Sequence, residues 1–447
     1  MDNRASGVPS TRVSRLARLG TLATGIAAGM VAEGVRQLSK GKRPKVSDLL
    51  LTPANVRRLG NQLAQMRGAA MKVGQLLSMD AGDLLPREFS DLLASLRADA
   101  RAMPRRQLLK VLGANWGRGW QDRFERFDDE PVASASIGQV HAARTKDGRR
   151  LAIKVQYPGV SRSVSSDVDN VAALLRISGL LPPGLDLRPV LEEAKRQLRE
   201  EADYMREGEQ LARFRRLLAG DRDLLLPEVY PDLTTRGILA MSFVESVPLE
   251  SLQAARQAER DRVVALLLGL MFREIFDFRL VQTDPNFANY RYDPGSRRLV
   301  LLDFGATRAY PKAQVEAHRR LFTGGARRDR HAVEAAAADI GYFGAGMDAR
   351  QRREVVELVI QACEPLRHGG AYDFGGSDLP ARMRDAGLTL GAEKPFWRSP
   401  PADVLFLYRK IGGMYLLAAR LRARVDIRAL FEPHAGTGNG LPHAGRR

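Results

Sequence analysis

Apolar and polar positions change period several times along this chain, and each change predicts an element. From Ser47 to about Ala114 apolar residues recur every three or four positions, as in helices. Residues 127–157 alternate apolar with polar and turn at Lys146-Asp147-Gly148. That pattern predicts a hairpin of Val132–Arg144 and Arg149–Gln156. Helical spacing returns over 160–189, up to a Pro-Gly break, and then from Val190 to about Leu217 as one long amphipathic helix. At about 100° per residue, Glu207 shares a stripe with Asp203, Leu211 and Phe214, and Glu201 lies roughly 120° away. One helix is therefore expected to offer its two acids to different partners. Residues 224–250 read as strand, turn, strand; 256–279 as an apolar core helix; and the chain after Tyr310 as helical to about Leu430. The mixture predicts an α+β fold, and 447 residues suit two lobes better than one.

The ends read differently. Residues 1–15 are polar, basic and rich in Ser and Arg, as in a disordered tail, with a weak organelle-targeting segment as the alternative. The uncharged run Leu19–Ala32 holds 14 residues, short of the ~20 that span a bilayer. It contains Gly25-Ile-Ala-Ala-Gly29, and Lys40, Lys42, Arg43 and Lys45 follow. Two readings stand: a membrane-surface helix able to pair with a copy of itself in a homodimer, or an Ala/Gly packing helix. Residues from Pro433 onward are Gly/Pro-rich and are expected to be disordered.

A net charge of +18 suits an anionic partner. No zinc-finger spacing, aromatic RNA-binding signature or helix-turn-helix favours nucleic acid, so an anionic lipid surface is the expected partner, with a charge that serves only solubility as the alternative. The single Cys363 excludes an internal disulfide framework and a thiolate metal cluster.

Candidate chemistry gathers in residues 279–310. Asp284, Asn289 five residues on, and Asp303 in Asp-Phe-Gly after a short strand have the spacing of a phosphoryl-transfer site. Set against the glycine-rich phosphate loop, Ala133-Ser134-Ala135-Ser136-Ile-Gly138-Gln-Val140 keeps one glycine of three. Leu151-Ala-Ile-Lys154 matches the strand whose Lys pairs the α/β-phosphates of ATP. Phe243-Val244-Glu245 has the look of an adenine-binding hinge or of any hairpin. Lys72 and Gln75 share a helix face with Gly74 between them; on physics alone they read as a surface pair. A second Asp-Phe-Gly at Asp373 lacks a preceding apolar strand and is expected to be only a turn.

Five blocks in order, Met71–Ser78, Pro131–His141, Leu151–Gln156, Glu201–Gly208 and Gln282–Asn289 with Leu302–Thr307, resemble the UbiB (aarF-type) atypical kinase-like family over roughly residues 45–430. Many bacterial members of the family have His at the position of Gln282, and the QTDPN spelling at 282–286 is instead similar to the coenzyme Q branch. The resemblance implies a protein-kinase-like bilobal fold with an N-terminal helical extension over the active site. The expected order is a basic tail and short apolar helix (1–45), the extension (46–125), the N-lobe (126–250), a helical C-lobe (251–432) and a tail (433–447).

The resemblance also implies roles. Lys154 and Glu207 form a lobe-bridging ion pair, and Asn289 and Asp303 hold Mg²⁺. Asp284 orients the attacking water or hydroxyl. Lys72, Gly74 and Gln75, with Glu201 and Asp203 of an ExD motif, are regulatory. The expected activity is a Mg-ATP-dependent, kinase-like ATPase supporting ubiquinone biosynthesis, working with quinone precursors or quinone-biosynthesis proteins. Its expected place is the cytoplasmic side of the inner membrane, with the mitochondrial matrix face as the alternative. Rival readings are a small-molecule or lipid kinase acting on an isoprenoid precursor, and a nucleotide-sensing scaffold. Protein phosphorylation in trans is not expected.

Overall fold

The computed structural model describes residues 63, 66–80, 102–177, 187–344, 347–392 and 402–436. The Leu19–Ala32 run, its Gly-xxx-Gly pairing and residues 437–447 lie outside them. The chain divides into two compact units, one drawn from the described residues of Met1–Glu209 together with Glu228–Phe243, the other from Gln210–Pro227 and Val244 onward.

The first unit begins with helices α1 (Arg67–Asp80) and α2 (Arg105–Trp116), then strands β1 (Phe124–Ser134), β2 (Gly138–Thr145) and β3 (Arg150–Gln156). Helices α3 (Val160–Ile177) and α4 (Arg188–Glu201) follow, then α5 (Tyr204–Leu217), of which the residues up to Glu209 belong to the first unit and those from Gln210 to the second. Strand β4 (Leu224–Leu225) belongs to the second unit, and β5 (Ile238–Ser242) returns to the first. The sheet runs β1-β2-β3-β5, each pair antiparallel. The core lies between α2 and the sheet, where Leu108, Leu112 and Trp116 meet Leu151, Ile153 and Val155. Trp116 and Trp120 pack against Phe124 and Phe127, mostly edge to face, at centroid distances of 5.2–6.5 Å.

Two expectations change here. The predicted first strand is two strands: the chain reverses at Ala135–Ile137, with Ala135 N donating to Gly138 O at 2.9 Å. The predicted helix 190–217 breaks at Ala202-Asp203. Asp203 Oδ1 accepts from Arg206 N at 3.1 Å and caps α5. Meanwhile Gln156 Nε2 donates to the Ala202 carbonyl at 2.7 Å, drawing it away from helical pairing.

The buried pair Gln139–His141 ties the sheet to the chain entering α2. Gln139 Oε1 accepts from Met103 N at 2.7 Å, so its amide nitrogen donates to His141 Nε2 at 2.8 Å. His141 Nδ1–H then donates to the Asp128 carbonyl at 2.8 Å. This relay needs a neutral ring, and burial lowers the His141 pKa against the raising effect of Asp128 and Asp129. The folded value lies below the unfolded one (~6.5), so this contribution is present above about pH 6.5 and is lost as pH falls. The protection factor of the Met103 amide, corrected for the slower intrinsic exchange at lower pH, is expected to fall between pH 7 and pH 5; unchanged protection would contradict the relay.

The second unit opens on β6 (Val247–Pro248) and α6 (Gln257–Phe272), which runs into a π-helical turn, Arg273–Phe278. Strands β7 (Leu280–Gln282), β8 (Tyr290–Asp293), β9 (Arg298–Leu301) and β10 (Thr307–Ala309) follow. They form a β4-β9-β8-β6 sheet and a separate β7–β10 ladder. Helices α7 (Lys312–Arg327), α8 (Arg330–Ile340), α9 (Ala349–Ala362), α10 (Glu364–Arg367), α11 (Leu379–Ala392), α12 (Ala402–Arg420) and α13 (Ile427–Phe431) complete it. Helix α12 passes unbroken through Gly412-Gly413. The second Asp-Phe-Gly is a turn, as expected, with Asp373 Oδ1 accepting from Gly375 N and Gly376 N. Pro433–Gly436 are part of the folded unit rather than of a disordered tail: Glu432–His434 form a 3-10 turn, and His434 Nδ1 lies 3.1 Å from Asp277.

Candidate active site

In the first unit, Lys154 sits in the middle of β3, paired in register with Val140 and Leu239. Its ammonium donates to Glu207 Oε1 at 2.7 Å and Oε2 at 2.9 Å, and lies 5.1 Å from the Tyr204 ring centroid. Glu207 stands in the first turn of α5, where the helix dipole favours a carboxylate. Both residues belong to the same unit, so the pair does not bridge the two units as expected.

Ala133 and Ser134 end β1 and are exposed, and Ala135 and Ser136 make the turn. Gly138 and Val140 start β2. No residue from 133 to 140 has a positive φ, so alanine strains nothing at 133 or 135. Gly138 is a glycine for space: a Cβ there would lie 2.3 Å from the Val155 carbonyl oxygen and 2.9 Å from the Tyr204 hydroxyl.

The extension helix α1 lies on this loop. Lys72 is buried and forms an ion pair with Glu201, which replaces the surface reading of that lysine. Glu201 Oε2 also accepts from Ser136 Oγ at 3.3 Å. A Cβ at Gly68 would come within 3.0 Å of Ile137 Cγ2. Gly74 is buried in α1; the Gln75 side chain lies outside the described residues. Glu201 and Glu207 thus do serve different partners, though the broken helix voids the angular argument for it. Phe243, the last residue of the unit, donates its N–H to Arg150 O at 2.9 Å.

In the second unit the carbonyl of Val244 accepts from Ser246 Oγ at 3.4 Å. Asp284 stands two residues beyond the end of β7. Its Oδ1 pairs with Arg409 of α12, and its Oδ2 accepts from Asn289 Nδ2 at 3.1 Å. The Asp284 carbonyl accepts from Asn289 Nδ2 at 3.0 Å and Gln282 Nε2 at 2.9 Å. The β7–β10 ladder and Thr283, whose N and Oγ1 both donate to Ala306 O, fasten this loop to the Asp-Phe-Gly turn. Asp303 Oδ1 accepts from Gly305 N at 3.0 Å, and Phe304 is buried against Phe214 at 4.6 Å.

Sequence reasoning missed Arg409, Lys410 and Glu274. Lys410 and Glu274 are buried together, Nζ to Oε2 at 3.1 Å. Burial raises the Glu274 carboxyl above its usual range against the pull of Lys410. Burial alone would lower Lys410, but Glu274 and Tyr290 more than offset it and hold it above the ordinary lysine value. The signal was present: a lone acid in LLLGLMFREIFDF and two adjacent cations in VLFLYRKIGGMYLL, each charge set in an apolar stripe.

Among the described residues no group of three or more His, Cys, Asp or Glu could cage a metal. Asn289, whose Nδ2 faces Asp284, and Asp303 offer one amide oxygen and one carboxylate, both hard donors. That set suits Mg²⁺, which takes one or two protein ligands and completes its shell with phosphate and water.

A model of the ABC1 atypical kinase-like domain matches residues 95–337. The Saccharomyces cerevisiae mitochondrial atypical kinase COQ8 is 36% identical over 96% of this chain and 86% of its own length. The Rattus norvegicus mitochondrial atypical kinase COQ8B is 37% identical over 96% of this chain and 81% of its own. Among solved structures, a Mycobacterium tuberculosis protein in complex with erythromycin aligns with a TM-score of 0.59 at 25% identity, covering 84% of this chain and 95% of that one. With its α+β, kinase-like fold, the chain belongs to the ABC1 (UbiB) family of atypical kinase-like proteins.

Proposed function

We propose that this protein is a kinase-like ATPase that binds Mg-ATP and supports ubiquinone biosynthesis at a membrane surface. The observation that carries the nucleotide reading is Lys154, held by both oxygens of Glu207. Lys154 would meet the α/β-phosphates beside the loop Ala133–Val140, and Phe243 and Val244 would present backbone groups to adenine. Asn289 and Asp303 would hold Mg²⁺, which when bound neutralises phosphate charge. Asp284 would orient a water or a substrate hydroxyl, with Arg409 and Asn289 fixing its carboxylate. The Lys72–Glu201–Ser136 contacts hold the extension on the phosphate loop, which supports a regulatory role for Lys72, Gly74, Gln75, Glu201 and Asp203 and argues against a peptide substrate.

Among the described residues no helix is long and apolar enough to cross a membrane. The +18 charge supports peripheral binding to anionic lipid on the cytoplasmic side of the inner membrane; the mitochondrial names of the relatives support the matrix face as the alternative. Quinone profiling of a deletion strain tests the whole reading. Wild-type protein should restore ubiquinone and Asp303→Asn should not; full restoration by Asp303→Asn would overturn the catalytic role.

A Cβ at Gly413 would lie 2.2 Å from Pro285 Cγ, a ring that cannot swing aside. Gly413→Ala should displace the loop and lower ATP turnover by up to about 10²-fold. Steady-state kinetics check this, and wild-type turnover would show the contact to be slack.

A further inference from the structure

We infer that Glu274 and Lys410 form a buried positioning pair for the catalytic loop, fixing the orientation of Asp284 and Asn289 without touching substrate. The inference rests on the proposed roles of those two residues.

The bonds lead from the pair to the loop in single steps. Lys410 Nζ donates to Tyr290 Oη at 3.0 Å and reaches Gln282 Oε1 at 3.5 Å, and Tyr290 Oη donates to the same Gln282 oxygen at 3.3 Å. Gln282, its oxygen so engaged, turns its amide nitrogen to the Asp284 carbonyl at 2.9 Å. Tyr290 is the residue directly after Asn289, and Asn289 donates to that same carbonyl. Two paths from Lys410 thus converge on one peptide oxygen of the loop.

Position 282 must both accept from a cation and donate to a carbonyl, and the Gln amide does both. Glu274 supplies the countercharge from the π-helical turn that ends α6, a local widening often found at functional sites. Fully apolar residues would fill this space without the desolvation cost of two charges. What they lack is direction: the ammonium donates to Tyr290 Oη and Gln282 Oε1, while Glu274 neutralises it as an ion pair. Helix α12 adds two further holds on the loop, Arg409 on the Asp284 carboxylate and Gly413 under Pro285.

The test compares full-length Lys410→Met, Glu274→Gln and the double variant with wild type. The double strands no buried charge, so it keeps the test open where a single variant folds poorly. Readouts are kcat and KM for Mg-ATP, melting temperature, and hydrogen exchange of peptides covering 282–290 against peptides from β2 and β3. Each single should lower kcat between tenfold and a hundredfold with KM nearly unchanged, and should quicken exchange in 282–290 while β2 and β3 stay protected. The double should lose no more kcat than the worse single, because the pair acts as a unit. Variants that melt earlier yet keep wild-type kcat and loop exchange would overturn the inference, as would losses that multiply in the double. Should the wild type bind nucleotide without turnover, the ATPase reading fails separately. Exchange then decides alone: quickened exchange in 282–290 supports the pair, and wild-type exchange in Lys410→Met overturns it.

Discussion

Asp284→Asn is expected to lower ATP turnover by roughly 10²–10⁴-fold while leaving Mg-nucleotide affinity close to wild type, as loss of a general base does. The structure explains why the two effects should separate. Asn289 Nδ2 is held by the Asp284 main-chain carbonyl as well as by its carboxylate, so the substitution leaves Asn289 oriented. The new amide must keep an oxygen towards Asn289 and turn its NH₂ to Arg409, setting donor against donor. Arg409 is the partner that can move away, since it projects from α12 with part of its side chain in solvent. The carboxylate that would take the proton is gone, and the residues proposed for the metal remain. Rapid-quench turnover with a parallel nucleotide titration measures both quantities. Equal loss of affinity and turnover would mean that Asp284 acts mainly in holding metal.

The second large effect falls on Lys154. Lys154→Ala removes two hydrogen bonds to a carboxylate that is 2% exposed. Removing one member of a buried pair typically costs about 3–5 kcal/mol, and less here because the ammonium retains some solvent contact. Nucleotide affinity should fall at least tenfold, equivalent to about 1.4 kcal/mol. The double variant Lys154→Ala/Glu207→Ala separates structure from function. It should recover part of the lost melting temperature, because no carboxylate is stranded, and none of the lost affinity. Recovered nucleotide binding in the double would show that Lys154 serves only to neutralise Glu207.

How much of this was legible depended on the range of the forces involved. Lys154 and Glu207 could be read because an apolar strand carrying Leu-Ala-Ile-Lys and an acid on an apolar helical stripe are local patterns. The break at Ala202-Asp203 could not. Asp203 is an ordinary residue in a helical run until Gln156, 46 positions away, takes the preceding carbonyl. The turn at Ala135–Ile137 was hidden for a related reason: it contains neither Gly nor Pro, and the glycine after it answers to the Val155 carbonyl across the sheet. The supports of Asp284 come from α12, 125 residues further on, where Arg409 and Lys410 looked like basic residues in an apolar run. Lys72 shows the same limit from the other side. A lone helix lysine reads as exposed, and only its meeting with Glu201 makes it a buried contact.

Lys154, Asn289 and Asp303 are each proposed to serve Mg-ATP. Equilibrium titration of the full chain with a fluorescent ATP analogue, with and without Mg²⁺, tests this most directly. Saturable one-to-one binding that ATP displaces, that tightens with Mg²⁺ in the wild type but not in Asp303→Asn, and that Lys154→Ala weakens at least tenfold, is the predicted result. Binding indifferent to Mg²⁺ and to both substitutions, or no binding at all, would contradict it.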